Sequence, residues 1–139
     1  MSSSILPTYN RAPLAFDKGQ GCWLFTKDGD RYLDMGSGIA VNSLGHSNPE
    51  LVEALTFQAA KLWHISNLYE IPEQRRLADL LVETSFADNV FFTNSGTESC
   101  ELAVKMVRKY WHEKGRENRV EIITFEGSFH GRSSAGIAA

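Results

Sequence analysis

The chain has 139 residues, a length that suits one modest domain. Its 42% apolar and 22% charged residues describe a soluble globular protein, and a net charge of −3 gives no basic field for nucleic acid. No apolar run reaches transmembrane length, no charged start leads into an apolar h-region, and two distant thiols, Cys22 and Cys100, point to a reducing cytoplasm rather than a disulfide framework.

Residues 1–21 carry Pro7, Pro13, Gly19 and Gly21 and read as an irregular arm. Residues 22–26 and 31–34 are short β-prone runs on either side of Asp28-Gly29, which predicts a hairpin. Residues 35–47 hold Gly36, Gly38 and Gly45 and read either as a flexible connector or as a ligand-facing loop. No G-x-G-x-x-G is present in it, so a dinucleotide fingerprint is unsupported. A helix is predicted to start at Ser47 or Asn48 with Pro49 in the first helical position. Its apolar stripe is Leu51, Leu55, Ala59 and Leu62. Residues 63–71 break that pattern, and His64 there reads as a packed or surface histidine because no second ligand lies at metal spacing. Pro72 opens another helix with Leu77, Leu80, Leu81 and Thr84 on one face.

Residues 89–93 are an apolar run fit for a buried strand, and Asn94-Ser95-Gly96 is a tight break. From Thr97 the spacing is helical, with Cys100, Ala103, Val107 and Tyr110 in one stripe. Residues 115–119 are polar and loop-like, and residues 121–125 form a second strand of the buried type. Strand, helix, strand over this length predicts a βαβ unit with parallel strands in an α/β fold.

Chemistry concentrates at the carboxyl ends of those two strands, where open α/β sheets bind ligands. Ser95-Gly96-Thr97-Glu98 is an S-x-x-E capping box, with Ser95 as N-cap. The N–H groups of Gly96 and Thr97 are left to face an anion, Gly96 leaves room for it, and the Thr97 hydroxyl adds a donor. The same box also starts ordinary helices, and Glu98 brings negative charge close to the proposed anion. In the second loop, Phe129 stands between glycines and either packs under the loop or is covered by a planar ring. Arg132 offers a planar fork suited to a carboxylate, or is a solvated or internally paired arginine.

These residues resemble the class III aminotransferases of the pyridoxal-phosphate fold type I group, and within them the acetylornithine aminotransferases most. The specific part is Asn94-Ser95-Gly96-Thr97-Glu98 together with Phe129-His130-Gly131-Arg132. The run from Gly36 to His46 and Ser66-Asn67-Leu68-Tyr69 match in order, so the resemblance covers essentially the whole chain. Ser99-Cys100 departs from the Ala-Asn common in the wider class. The resemblance implies a mainly parallel sheet with helices on both faces, preceded by an arm and hairpin of a small domain. Residues 1–46 would belong to that small domain and residues 47–139 to the first part of the large one. It implies pyridoxal 5'-phosphate as cofactor, with Ser95, Gly96 and Thr97 at its phosphate and Phe129 on its ring. Arg132 would contact a substrate carboxylate, the glycine loop would line the substrate side, and residues 63–71 would lie near a homodimer interface. No metal is implied. The implied reaction is transfer of an ω-amino group from N-acetylornithine to 2-oxoglutarate in arginine biosynthesis. Ornithine and 4-aminobutyrate aminotransferases share much of the pattern.

Transamination also needs a lysine that bonds the cofactor and moves the proton, and an acid at the pyridinium nitrogen. In the family both come from later strands. None of Lys18, Lys27, Lys61, Lys105, Lys109 and Lys114 fits the role, so the chain is expected to be an N-terminal fragment with no catalytic residue of its own. Two other readings compete: a truncated paralogue that pairs with a full-length subunit as an interaction module, and a phosphate- or nucleotide-binding βαβ domain. The third fits the cup but not the loop from Phe129 to Arg132.

Overall fold

In the computed structural model, which describes residues 4–139, the first sheet forms around the Asp-Gly turn. β2 (Trp23–Thr26) and β3 (Arg31–Leu33) pair antiparallel, with Trp23 opposite Leu33 and Phe25 opposite Arg31. Gly29 takes φ 91°, a conformation that disfavours other residues, and its N–H bonds the Thr26 carbonyl at 3.1 Å. A third strand joins them: β1 (Phe16–Gln20) pairs antiparallel with β2, and its register slips between Phe16 and Lys18. The arm expected over residues 1–21 is therefore irregular only in its earlier part, and its first three residues lie outside the described ones. The neighbouring edge of β2 supplies the ladder that the composition of β1 does not advertise. Phe16 meets Tyr32 edge-on at 5.5 Å, and Lys18 lies 5.3 Å from the centre of the Phe25 ring.

After β3 the chain makes one short turn, α1 (Ser37–Ala40), in which Ser37, Gly38, Ile39 and Ala40 all have positive φ. It then returns to the sheet at His46, which exchanges two backbone hydrogen bonds with Gly21 at 2.8 and 2.9 Å. α2 (Pro49–Lys61) follows, with Asn48 as N-cap accepting from the N–H groups of Glu50 and Leu51.

The chain divides into two units, residues 1–69 and 70–139. The second begins with α3 (Pro72–Glu83), opened by its proline as expected. α4 (Gly96–Glu113) and α5 (Ser134–Ala138) are its other helices, and they touch each other. The two strands expected at residues 89–93 and 121–125 do not form, and among the described residues the only sheet is the antiparallel one of the first unit. Strands that are apolar throughout need ladder partners on their edges and cover on both faces. Among the described residues neither run has a ladder partner. The helix of the predicted βαβ unit is present without its ladder.

The covered face of α4 also differs from its apolar stripe. Thr97, Cys100, Glu101 and Val104 are half-buried, whereas Ala103, Val107 and Tyr110 are exposed. The neighbouring α5 decides which side is covered. Among the described residues no side chain is fully buried, and Leu51, Leu55, Leu77 and Leu80 on α2 and α3 are open.

Candidate functional site

The start of α4 carries the first half of the site. Ser95, extended at φ −153° and ψ 162°, accepts from the N–H of Glu98 at 3.2 Å through its hydroxyl. This is the predicted N-cap. The return half of the box is displaced by one residue: a Glu98 carboxylate oxygen accepts from the N–H of Asn94 at 2.7 Å rather than from that of Ser95. The extended Ser95 backbone leaves the preceding N–H in reach. Gly96 and Thr97 occupy the first two helical positions, where N–H groups have no partner inside the helix. Beyond its own chain neighbours and helix backbone, nothing lies within 4 Å of where a Gly96 side chain would start, so that side of the helix start is open.

The second half is the loop of Phe129, His130, Gly131 and Arg132. It is brought onto the first through Gly131 and Thr97. A side chain on Gly131 would start 2.8 Å from Thr97 Oγ1, and the Gly131 φ of 113° excludes one on conformational grounds as well. Phe129 does not pack under its loop; it is 75% exposed. The Arg132 guanidinium carbon lies 5.5 Å from the centre of its ring. Anion donors, an exposed aromatic ring and the planar cation over it thus share one region of the second unit. That set can hold a phosphate, cover a flat ring and face a carboxylate.

Three neighbours were given no role from the sequence. Glu101, one turn beyond Thr97, accepts from the Ser133 hydroxyl and from the Ala135 N–H at 2.9 Å. Those bonds, Ser133 first, hold its carboxyl below the usual carboxylate range. Gly136 packs against the His130 carbonyl, 2.6 Å from where its own side chain would start. His130 Nε2 is buried with no hydrogen-bond partner. The one-turn spacing of Thr97 and Glu101 was the available signal, because it sets both on one face of a helix.

In the first unit the glycine loop is tied down rather than loose. Asp34 Oδ1 accepts from the N–H groups of Gly36 and Ser37 at 3.1 and 2.9 Å, and Oδ2 lies 2.7 Å from His46 Nε2. The Asn42 side chain reaches His46 Nδ1 at 3.0 Å. The His46 contact first, then the Ser37 N–H, lower the Asp34 pKa. His64 is exposed. Among the described residues no three His, Cys, Asp or Glu side chains cluster for a metal. No described helix is long and apolar enough to cross a membrane. Cys22 and Cys100 are both free thiols. The depression lined by Glu73, Leu77, Leu80 and Glu83 belongs to one face of α3 alone and gathers none of these groups.

The comparisons with known proteins agree on one family. The family model for class-III aminotransferases matches residues 5–139. An acetylornithine aminotransferase from Rhodobacter capsulatus is 70% identical over all of this chain and 35% of its own length. Another, from Mesorhizobium japonicum, is 63% identical over 99% of this chain and 34% of its own. The chain thus spans about a third of the length of the curated relatives it matches. Among solved structures, an N-acetylornithine aminotransferase from Stenotrophomonas maltophilia superposes with a TM-score of 0.81 at 44% identity. It covers 88% of this chain and 34% of that one. An (S)-enantioselective omega-transaminase from Thermomicrobium roseum gives 0.88 at 30% identity, over 98% of this chain and 33% of that one.

Proposed function

The chain belongs to the class-III aminotransferase family, of fold type I, and we propose that in the complete enzyme it supplies the phosphate cup and the ring-covering loop for pyridoxal 5'-phosphate. The observation that carries this reading is the seating of Gly131 against Thr97, which joins two loops more than thirty residues apart into one surface. The residues fit the group. Gly96 and Thr97 stand at the helix start, where N–H groups have no partner inside the helix, and Phe129 presents a ring that is 75% exposed. When bound, the cofactor supplies an electron sink for the substrate carbon that loses its proton.

The chain's own residues bind and orient. Ser95 fixes the start of α4, and the Gly96 and Thr97 N–H groups would hold the phosphate there, where the helix end favours negative charge. The Thr97 hydroxyl adds a donor. Phe129 would cover the pyridine ring and keep water from it. Arg132 takes a substrate carboxylate in its planar fork. The lysine that moves the proton and the acid at the ring nitrogen we assign to later parts of the enzyme.

Residues 1–46 we assign to its small domain and residues 47–139 to the first part of its large one. The glycine loop would line the substrate side, and residues 63–71 would lie near the interface of a cytoplasmic homodimer.

For the substrate we propose N-acetylornithine with 2-oxoglutarate, a step of arginine biosynthesis, because several similar relatives carry that name. Purified full-length protein loaded with pyridoxal phosphate is to be assayed with N-acetylornithine, ornithine and 4-aminobutyrate as donors. The highest kcat/KM is expected for N-acetylornithine. A preference for either other donor replaces the substrate and keeps the chemistry. A protein that takes up no pyridoxal phosphate contradicts both.

A further inference from the structure

The loop that carries Phe129 and Arg132 has no strand to hold it. What ties it to the cup is side-chain chemistry from α4. One Glu101 oxygen, Oε1, accepts from the Ser133 hydroxyl and from the Ala135 N–H. Ser133 follows Arg132 directly, and consecutive Cα atoms are about 3.8 Å apart, so fixing Ser133 leaves the Arg132 backbone little freedom. Two glycines complete the joint: Gly131 lies against Thr97 and Gly136 against the His130 carbonyl, each where a side chain would collide. Thr97 and Glu101 are one turn apart on the same helix, so phosphate donors and loop anchor are parts of one rigid element.

We propose that Glu101 is the positioning residue that sets the Phe129–Arg132 loop on the phosphate cup. It rests on the pyridoxal-phosphate reading above and adds a residue that acts on the substrate and the ring only through Arg132 and Phe129. A carboxylate suits the task because bonds to an ionised acceptor are shorter and stronger than neutral ones. Lys105, four residues on, favours its charged form, as do the two donors it serves.

The alternative is that Glu101 merely closes the start of a short helix and stabilises the fold. Kinetics and spectroscopy separate the two. Full-length protein loaded with pyridoxal phosphate is compared with Glu101→Ala, Glu101→Gln and Ser133→Ala. The measurements are cofactor Kd, visible circular dichroism of the bound cofactor, and KM and kcat for an amino donor with and without its carboxylate. Small misplacements of positioning groups can cost up to about a hundredfold, so Glu101→Ala should raise KM for the carboxylate-bearing donor by about tenfold or more. It should affect the analogue without the carboxylate much less, and weaken the cofactor's circular dichroism because Phe129 shifts. Glu101→Gln keeps an accepting oxygen and should restore part of both signals. Ser133→Ala should move both in the same direction by less.

Wild-type KM and circular dichroism in Glu101→Ala, whatever its melting temperature, overturn the proposal. If that variant does not fold, wild-type values in Ser133→Ala overturn it instead. A wild-type protein that binds no pyridoxal phosphate overturns the underlying reading. One that binds it normally while Glu101→Ala matches it overturns this inference alone.

Discussion

Thr97 and Gly131 meet where the two loops touch, and the contact has no slack. Threonine is β-branched and stiff at χ1, and the starting point of a Gly131 side chain lies 2.8 Å from its Oγ1 and 3.1 Å from its Cγ2. Gly131→Ala combines that collision with a φ of 113°, strain on the order of 1–3 kcal/mol. The expected outcome is a loop displaced from the cup, read as weaker pyridoxal-phosphate binding in the full-length protein; an unchanged Kd would show that the loop does not need this approach. Arg132→Lys keeps the charge and loses the two-point fork, so it should harm substrate use more than cofactor binding. The kinetic check compares a donor bearing its carboxylate with an analogue lacking it. Equal losses for both would remove Arg132 from the carboxylate site.

The hairpin and the glycine loop form one element through Asp34. Because the folded chain holds the Asp34 pKa below its ordinary value, the unfolded chain binds more protons as the medium is acidified. The contribution of Asp34 is therefore complete above the ordinary carboxylate range and lost as pH falls through the lowered folded value. Protection of the Gly36 and Ser37 amides, measured against the exchange of an unstructured chain at the same pH, should fall over that acid window, and Asp34→Asn should abolish that fall; a flat protection profile in the wild type contradicts the clamp. How much of such elements was legible depended on what made them. The Asp28-Gly29 turn, the Asn48 cap, Pro49, Pro72 and the Ser95 cap are local signals, and each produced its element. β1 was missed because Phe16–Gln20 lacks alternation, and only the β2 edge makes it a strand. Residues 89–93 and 121–125 failed in the opposite sense: apolar content alone cannot form a ladder without partners. At the site, cap and loop could be read, and helical spacing put Glu101 on the Thr97 face, but its task could not be read, because its partners Ser133 and Ala135 lie more than thirty residues away.

For the whole molecule, the decisive feature is open apolar surface. Ile39, Trp63, Ile123 and Phe125 are all more than 80% exposed, and no described side chain is fully buried. Apolar patches on this scale favour association. The 139-residue chain by itself should not behave as a stable monomer, nor turn over N-acetylornithine with 2-oxoglutarate. Sedimentation and thermal melting decide the first point, and a monodisperse monomer with a sharp cooperative melt would contradict it. The central claim, that Gly96 and Thr97 hold the phosphate of pyridoxal phosphate, is tested most directly by a comparison of two ligands in two proteins. Pyridoxal phosphate and pyridoxal, which lacks the phosphate, are each titrated into full-length wild type and Thr97→Ala. A hydrogen bond to a charged group is worth about 1.5–3 kcal/mol, so the substitution should weaken pyridoxal phosphate roughly ten- to hundredfold and leave pyridoxal unchanged. Equal effects on both ligands, or none on pyridoxal phosphate, would contradict the account.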